Sequence, residues 1–194
     1  MELNLTENTI GNKMRDELDA SLVEKYPHIF KNRYVSMQET CMCWGFECGD
    51  GWYKILDILC SNIESHVSWK RMMRATDLRR IRAYKKGRDD LRSFLYRGKQ
   101  EDELSLWQQE ELDRIMKEGP RDPVEKVHRV VAEQVKEKFG TLRFYIQGGD
   151  EYVYGLIRMA ESMTAVTCEQ CGAPGETRGG GWVRTLCDTH EAEY

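Results

Sequence analysis

Cys168 and Cys171 stand two residues apart in Cys168-Glu169-Gln170-Cys171-Gly172, and Cys187-Asp188-Thr189-His190 follows near the C-terminus. Two thiolates at that spacing can grip one ion, and the glycine after them lets the backbone fold back beneath it. Three sulfurs and one imidazole make a closed, four-coordinate donor set of the kind that holds structural zinc. The sequence therefore predicts one structural Zn2+ bound by Cys168, Cys171, Cys187 and His190. A catalytic zinc keeps one position for water, and four protein ligands leave none. The His-x-Glu triplet that zinc deaminases place ahead of their Pro-Cys-x-x-Cys does not occur in the chain. The competing reading is of reduced core cysteines beside an unrelated histidine.

Other residues with chemical potential are less well grouped. Cys41, Cys43, Cys48 and Cys60 follow no usual zinc spacing, and Cys60 falls on or near the buried face of a helix, so ordinary thiols are expected. From Lys70 to Lys99 there are twelve Lys and Arg against three Asp, in a chain whose formal net charge is -4. Arg79, Arg80, Arg82, Lys85, Lys86 and Arg88 are candidate anion-binding residues, with Trp69, Tyr84, Phe94 and Tyr96 as stacking surfaces. The alternative is a solvated face paired with the acidic helix that follows. His28, His66 and His128 each read as a surface or core histidine before a catalytic base. Gly179-Gly180-Gly181 lacks the Lys-Ser/Thr of a phosphate-binding loop and reads as a turn.

The elements that must position these residues follow from periodicity. Asn12 to Tyr26 reads as a helix ended by Pro27, and Cys41 to Gly51 as a loop or short hairpin. Asp50 is placed to cap a helix whose stripe is Trp52, Ile55, Leu56, Leu59, Ile63 and Val67. The basic stretch beyond has no clean apolar period before Leu91, and reads as a solvated helix or a mobile arm. Leu104, Trp107, Leu112, Ile115 and Met116 mark an acidic helix stopped by Gly119-Pro120. Asp122-Pro123-Val124-Glu125 carries a capping box with proline at the first helical position. It predicts a helix buried along Val124, Val127, Val131 and Val135 and capped by Gly140. Thr141 to Ile146 alternates as a strand. Gln147 to Asp150 turns into a last amphipathic helix through Val153, Leu156, Ile157, Ala160 and Met163. Trp182 to Leu186 is a strand returning to Cys187.

The 194 residues, 40% hydrophobic and 32% charged, suit one domain with a small appendage. The expected fold is α+β: a mostly helical body over 1–166 with a short β element, then a zinc module over 167–194, treble-clef or zinc-ribbon-like. No apolar run approaches the roughly 18 residues that span a bilayer, and MELNLTENTIGNKMRDELD lacks a secretory core. A cytoplasmic protein with reduced thiols and no membrane partner is expected.

Three stretches together carry a resemblance: ETCMCWGFECGDGWYKILDILC over Glu39 to Cys60, QVKEKFGTLRFY over Gln134 to Tyr145, and Met159 to His190 with its CEQCG and CDTH ends. The chain resembles a group of uncharacterised proteins encoded by tailed bacteriophages and prophages of Gram-negative bacteria. The resemblance thins across 69–119, which therefore looks like an insertion. It implies a phage origin, a place of action in the host cytoplasm and the four zinc ligands already named. It implies no activity. The leading expectation is a non-enzymatic phage accessory protein that binds a host macromolecule, a host protein first, in the setting of host defence. The alternative is a nucleic-acid or nucleotide-signal binding protein that uses the basic 70–99 segment. An enzyme whose residues converge only in the fold, around His128 or Asp50, is the third reading.

Overall fold

The computed structural model describes residues 13–179 and 181–193. Asn12 at the expected start of the first helix, most of the N-terminal stretch compared with a secretory leader, Gly180 of the glycine turn and Tyr194 lie outside them. The helices are α1 (Asp16–Lys25), α2 (Tyr53–Lys86), α3 (Arg88–Tyr96), α4 (Leu106–Glu118), α5 (Glu151–Thr164) and α6 (Asp188–Glu191). The strands are β1 (Phe46–Glu47), β2 (Val131–Lys138), β3 (Thr141–Gln147), β4 (Glu176–Arg178) and β5 (Arg184–Leu186). The fold is α+β, about half helical, with the Cys/His cluster in the C-terminal region. Two units are distinguishable: one runs up to Val67 and resumes at His128, and the other is Ser68–Val127. No helix among the described residues is long and apolar enough to cross a membrane.

In the first unit, α1 begins with Asp16, Glu17 and Asp19 and ends with Lys25, charges that suit the two ends of a helix dipole. Asp50 does not cap α2. A 3-10 turn over Asp50–Trp52 leads into that helix, and the Asp50 carboxylate instead accepts from the Arg15 amide at 2.9 Å, at the N-cap of α1. The expected stripe on α2 is buried from Trp52 to Val67. β2 pairs with β1 in parallel and with β3 antiparallel, in the order β1-β2-β3. Phe30 meets Phe46 and Phe144 edge to face, with centroids 4.9 and 6.3 Å apart, and forms the aromatic centre of this core. α5 is capped by Asp150, which accepts from the Val153 amide at 3.1 Å, and buries Val153, Ile157 and Ala160.

The helix expected from Asp122 to Gly140 is not formed. Residues 119–130 are without helix or strand, and β2 takes the remainder. Val127, Val131 and Val135 are buried as expected, but a spacing of four is shared by one face of a helix and one face of a strand. β-branched valines favour the pleated surface. The Val124 amide donates to Asp77 at 3.1 Å and ties this stretch to another element. Gly140 is not a helix cap. With Phe139 it forms the two-residue turn of the β2–β3 hairpin, at φ 78° and 55°, the paired positive values of a type I′ turn.

In the second unit, the basic stretch is helical as far as Tyr96 apart from Gly87, on α2 up to Lys86 and on α3 from Arg88, so it is a solvated helix and not an arm. Leu91, Leu104, Leu112 and Ile115 form a small core, flanked by Ala83, Tyr84, Leu95, Tyr96 and Met116. Ser105 and Gln108 make a reciprocal capping box at the start of α4, and Gly119 ends it. Trp107, expected in the buried stripe, stays exposed.

Candidate metal centre

Two backbone devices bring the four donors together. After α5, the amide of Cys168 donates to the Ala173 carbonyl at 2.8 Å and that of Gly172 to the Cys168 carbonyl at 2.9 Å, closing a tight knuckle. Gly172 sits at φ 76°, which a side chain would strain. The hairpin β4–β5, with Thr177 opposite Thr185, then carries the chain back to Cys187. Cys187 is the N-cap of α6, so His190 follows in its first turn. Arg178 on β4 pairs with Asp188 and Glu191 and so clamps α6 to the hairpin.

The four donor atoms lie within 4.8 Å of one another. Cys171 Sγ is 3.8 Å from Cys187 Sγ, and His190 Nδ1 is 3.6 Å from Cys168 Sγ and 3.2 Å from Cys187 Sγ. Bonds of about 2.3 Å to sulfur and 2.0 Å to nitrogen, at tetrahedral angles, would put donors roughly 3.5–3.8 Å apart. These three separations are thus close to those of a tetrahedral site, and the four residues could hold a metal ion. The amide and the imidazole of His190 pull the Cys187 thiol down to about 6, so it offers a thiolate at neutral pH. Among the described residues this is the one group of three or more Cys, His, Asp or Glu so placed.

The knuckle is keyed into the loop that precedes α2. Gly51 donates to the Glu169 carbonyl at 2.8 Å, Gly49 donates to Glu169 Oε1 at 2.9 Å, and Trp52 Nε1 donates to the Thr167 carbonyl at 2.9 Å. A methyl group on Gly51 would overlap the Cys168 carbonyl and the Gly172 amide, and one on Gly49 would overlap the Glu169 carbonyl. Glu169, between Cys168 and Cys171, is fully buried. Burial pushes its carboxyl up to about 7, against the opposing pull of the Gly49 amide. Sequence reasoning passed over Glu169 and this seat, for which the closely spaced Gly49 and Gly51 are the available signal.

The remaining candidates do not converge. Cys48 and Cys60 are fully buried and burial holds both thiols well above their ordinary range, while Cys41 is exposed. His66 is held by Asp150 at 2.9 Å and stacks on Tyr152 with centroids 4.3 Å apart. In the basic segment, Arg80 pairs with Asp77, Lys86 with Asp90, and Arg88 with Glu101 and Asp113. Arg79, Arg82 and Lys85 are exposed, with no ion pair shown among the described residues. In comparisons with known proteins, no family model, no curated protein and no solved structure matches the chain.

Proposed function

We propose that the four-donor site holds one zinc ion with a structural role, and that the protein acts by binding a host macromolecule and not by catalysis. The observation that carries this reading is the closed donor set: three sulfurs and an imidazole at near-tetrahedral separations complete the coordination of a zinc ion. An ion so enclosed has no position for a reacting water. Its service is to hold a knuckle, a two-strand hairpin and a four-residue helix, none of which buries enough apolar surface to persist unaided. The amide of His190, aimed at the sulfur of Cys187, would stabilise it as a thiolate ligand, while at Cys171 burial raises the thiol against the opposing pull of the Ala173 amide. The resemblance to tailed-phage proteins supplies the setting, a bacterial cytoplasm in which an accessory protein meets host factors.

Elemental analysis of the purified protein tests the metal, with one zinc per chain expected. An ion with an exchangeable water ligand, or a folded chain free of metal, would overturn the structural assignment. Affinity capture from host lysate tests the binding role, with one stoichiometric partner expected and an empty capture across several hosts counting against it.

A further inference from the structure

The outward face of the β2–β3 hairpin is aromatic and basic together. The register sets Lys136 opposite Arg143, Gln134 opposite Tyr145 and Lys138 opposite Thr141, and directly opposed residues project from the same side of a sheet. Lys136 Nζ lies 5.7 Å from the centroid of Tyr145, and Lys138 Nζ lies 5.4 Å from that of Phe139. At the hairpin tip Phe139 is 70% exposed. Trp182, 65% exposed, shares with it an open depression of about 500 Å³ that Lys136, Glu137, Lys138 and Val183 also line. A second depression, of about 490 Å³, shares Lys136 and includes Tyr145.

We infer that this face binds single-stranded nucleic acid, with bases stacked on Phe139, Trp182 and Tyr145 and phosphates met by Lys136, Lys138 and Arg143. The inference rests on the reading of the chain as a binding protein and names the chemistry of one partner. Exposed rings interleaved with cations suit a strand of any sequence, because every base has a face to stack and every link carries a charge. Folding does not account for Phe139. It occupies φ 55°, a left-handed position where glycine or asparagine would be less strained, and it buries little in return. Strain of that kind is kept where a side chain is needed in a set place. Of the acids on this face, Glu137 accepts from the Gly140 amide at 2.6 Å, and Glu47 accepts from Gln134 at 3.0 Å. Glu39 and Glu133 border the depression at the Tyr145 end, which suits the edge of a base there and not a phosphate.

An extended acidic peptide is the less favoured occupant. Strand addition needs a free edge, and the outer edge of β3 is closed by α5: Leu142 donates to Thr164 Oγ1 at 3.0 Å and Phe144 to Glu161 Oε1 at 3.1 Å. A duplex keeps its base faces stacked and offers these rings nothing.

Fluorescence anisotropy with the full-length, metal-loaded protein and a labelled 15-mer of deoxythymidine tests the inference. Saturable binding is expected, weakening about twentyfold between 50 and 200 mM salt if three phosphates are neutralised. Phe139→Asn and Trp182→Ser should each weaken it about tenfold or more, with metal content and thermal midpoint unimpaired. Arg79→Glu with Arg82→Glu should leave it unchanged. The inference is overturned by absent binding, by binding that survives both aromatic substitutions, by loss confined to the Arg79 and Arg82 variant, or by tighter binding of an aspartate-rich peptide. If the oligonucleotide fails while host capture still returns a stoichiometric partner, this surface assignment falls and the binding role stands. If both fail, both readings fall.

Discussion

The amide of Gly51 donates to the carbonyl oxygen of Glu169 at 2.8 Å, which joins the loop ahead of α2 to the middle of the Cys168–Cys171 knuckle. Gly49 takes the side chain of the same glutamate, and Trp52 takes the Thr167 carbonyl just before it. The knuckle is therefore part of the core of the first unit and not a tail appended to it. Occupancy of the metal site and packing at the start of α2 become one equilibrium, since whatever loosens the knuckle removes the acceptors of Gly49 and Gly51.

Gly51→Ala should accordingly be among the most damaging single-methyl changes in the chain. The added carbon overlaps backbone atoms of Cys168 and Gly172, which cannot rotate away as a side chain could. A loss of about 3 kcal/mol in unfolding free energy is expected, at the severe end of overpacking. Gly155→Ala is the matched control. It lies in α5, and its new methyl meets only the far end of Arg158 at 3.9 Å. Helix propensity should make it stabilising by up to about 1 kcal/mol. Urea denaturation of both variants checks the pair, and equal midpoints would contradict the seat.

Metal removal should be felt at a distance in sequence. Under chelation, the amides of Gly49 and Gly51 should lose protection from hydrogen exchange together with those of Cys168 and Gly172, because all four bonds depend on the closed knuckle. Peptides from the α3–α4 core should exchange as before, since Leu91, Leu104, Leu112 and Ile115 pack on one another. Mass-spectrometric exchange, with and without chelator, decides it. Unchanged protection at Gly49 and Gly51 would uncouple the two sites.

What was legible in the sequence was what local chemistry dictates. The members of the Cys/His cluster could be named because metal spacing is short-range, and the Trp52–Val67 stripe because six apolar residues keep one helical face. The strand β2 was misread because Val127, Val131 and Val135 satisfy both periods. What decided between them is tertiary: Asp77 takes the Val124 amide, and β1 and β3 flank the chain. Glu169 was invisible for a similar reason. Between Cys168 and Cys171 a glutamate reads as solvent-facing, and only the fold presents the two glycines that receive it.

Phe139 offers a test in the opposite direction from Gly51. Its left-handed backbone costs about 1 kcal/mol relative to a residue at ease there. Phe139→Gly or Phe139→Asn should therefore leave the thermal midpoint unchanged or raise it by a few degrees. Gly140→Ala should lower it, since that position has φ 78° and its new methyl would crowd Thr177, Thr185 and Val183 at 3.1–3.3 Å. Scanning calorimetry separates the cases. A marked drop for Phe139→Asn would mean that the ring supports the hairpin and is not held there for a ligand.

Asp77 should set the acid limit of the second unit. Its carboxylate is buried, accepts from the Val124 amide at 3.1 Å and from Arg121 at 2.9 Å, and lies 3.3 Å from Arg80. Burial alone would raise its pKa, but the amide and the guanidinium groups outweigh burial and hold it below the ordinary 3.8. A carboxyl depressed in the folded state stabilises fully above its unfolded value, near pH 4, and that contribution disappears as pH falls through the folded value. Asp77→Asn keeps one oxygen for Val124 but leaves Arg80 and Arg121 without their anion. Because Arg121 is partly solvated, a loss of about 1–3 kcal/mol is expected at pH 7. At pH 3, below the unfolded value, that contribution is already smaller, so the gap between wild type and variant should narrow. Urea midpoints at pH 7 and pH 3, read through the helical signal, measure that gap, and a gap that stays constant or widens in acid would show that the charge of Asp77 contributes nothing.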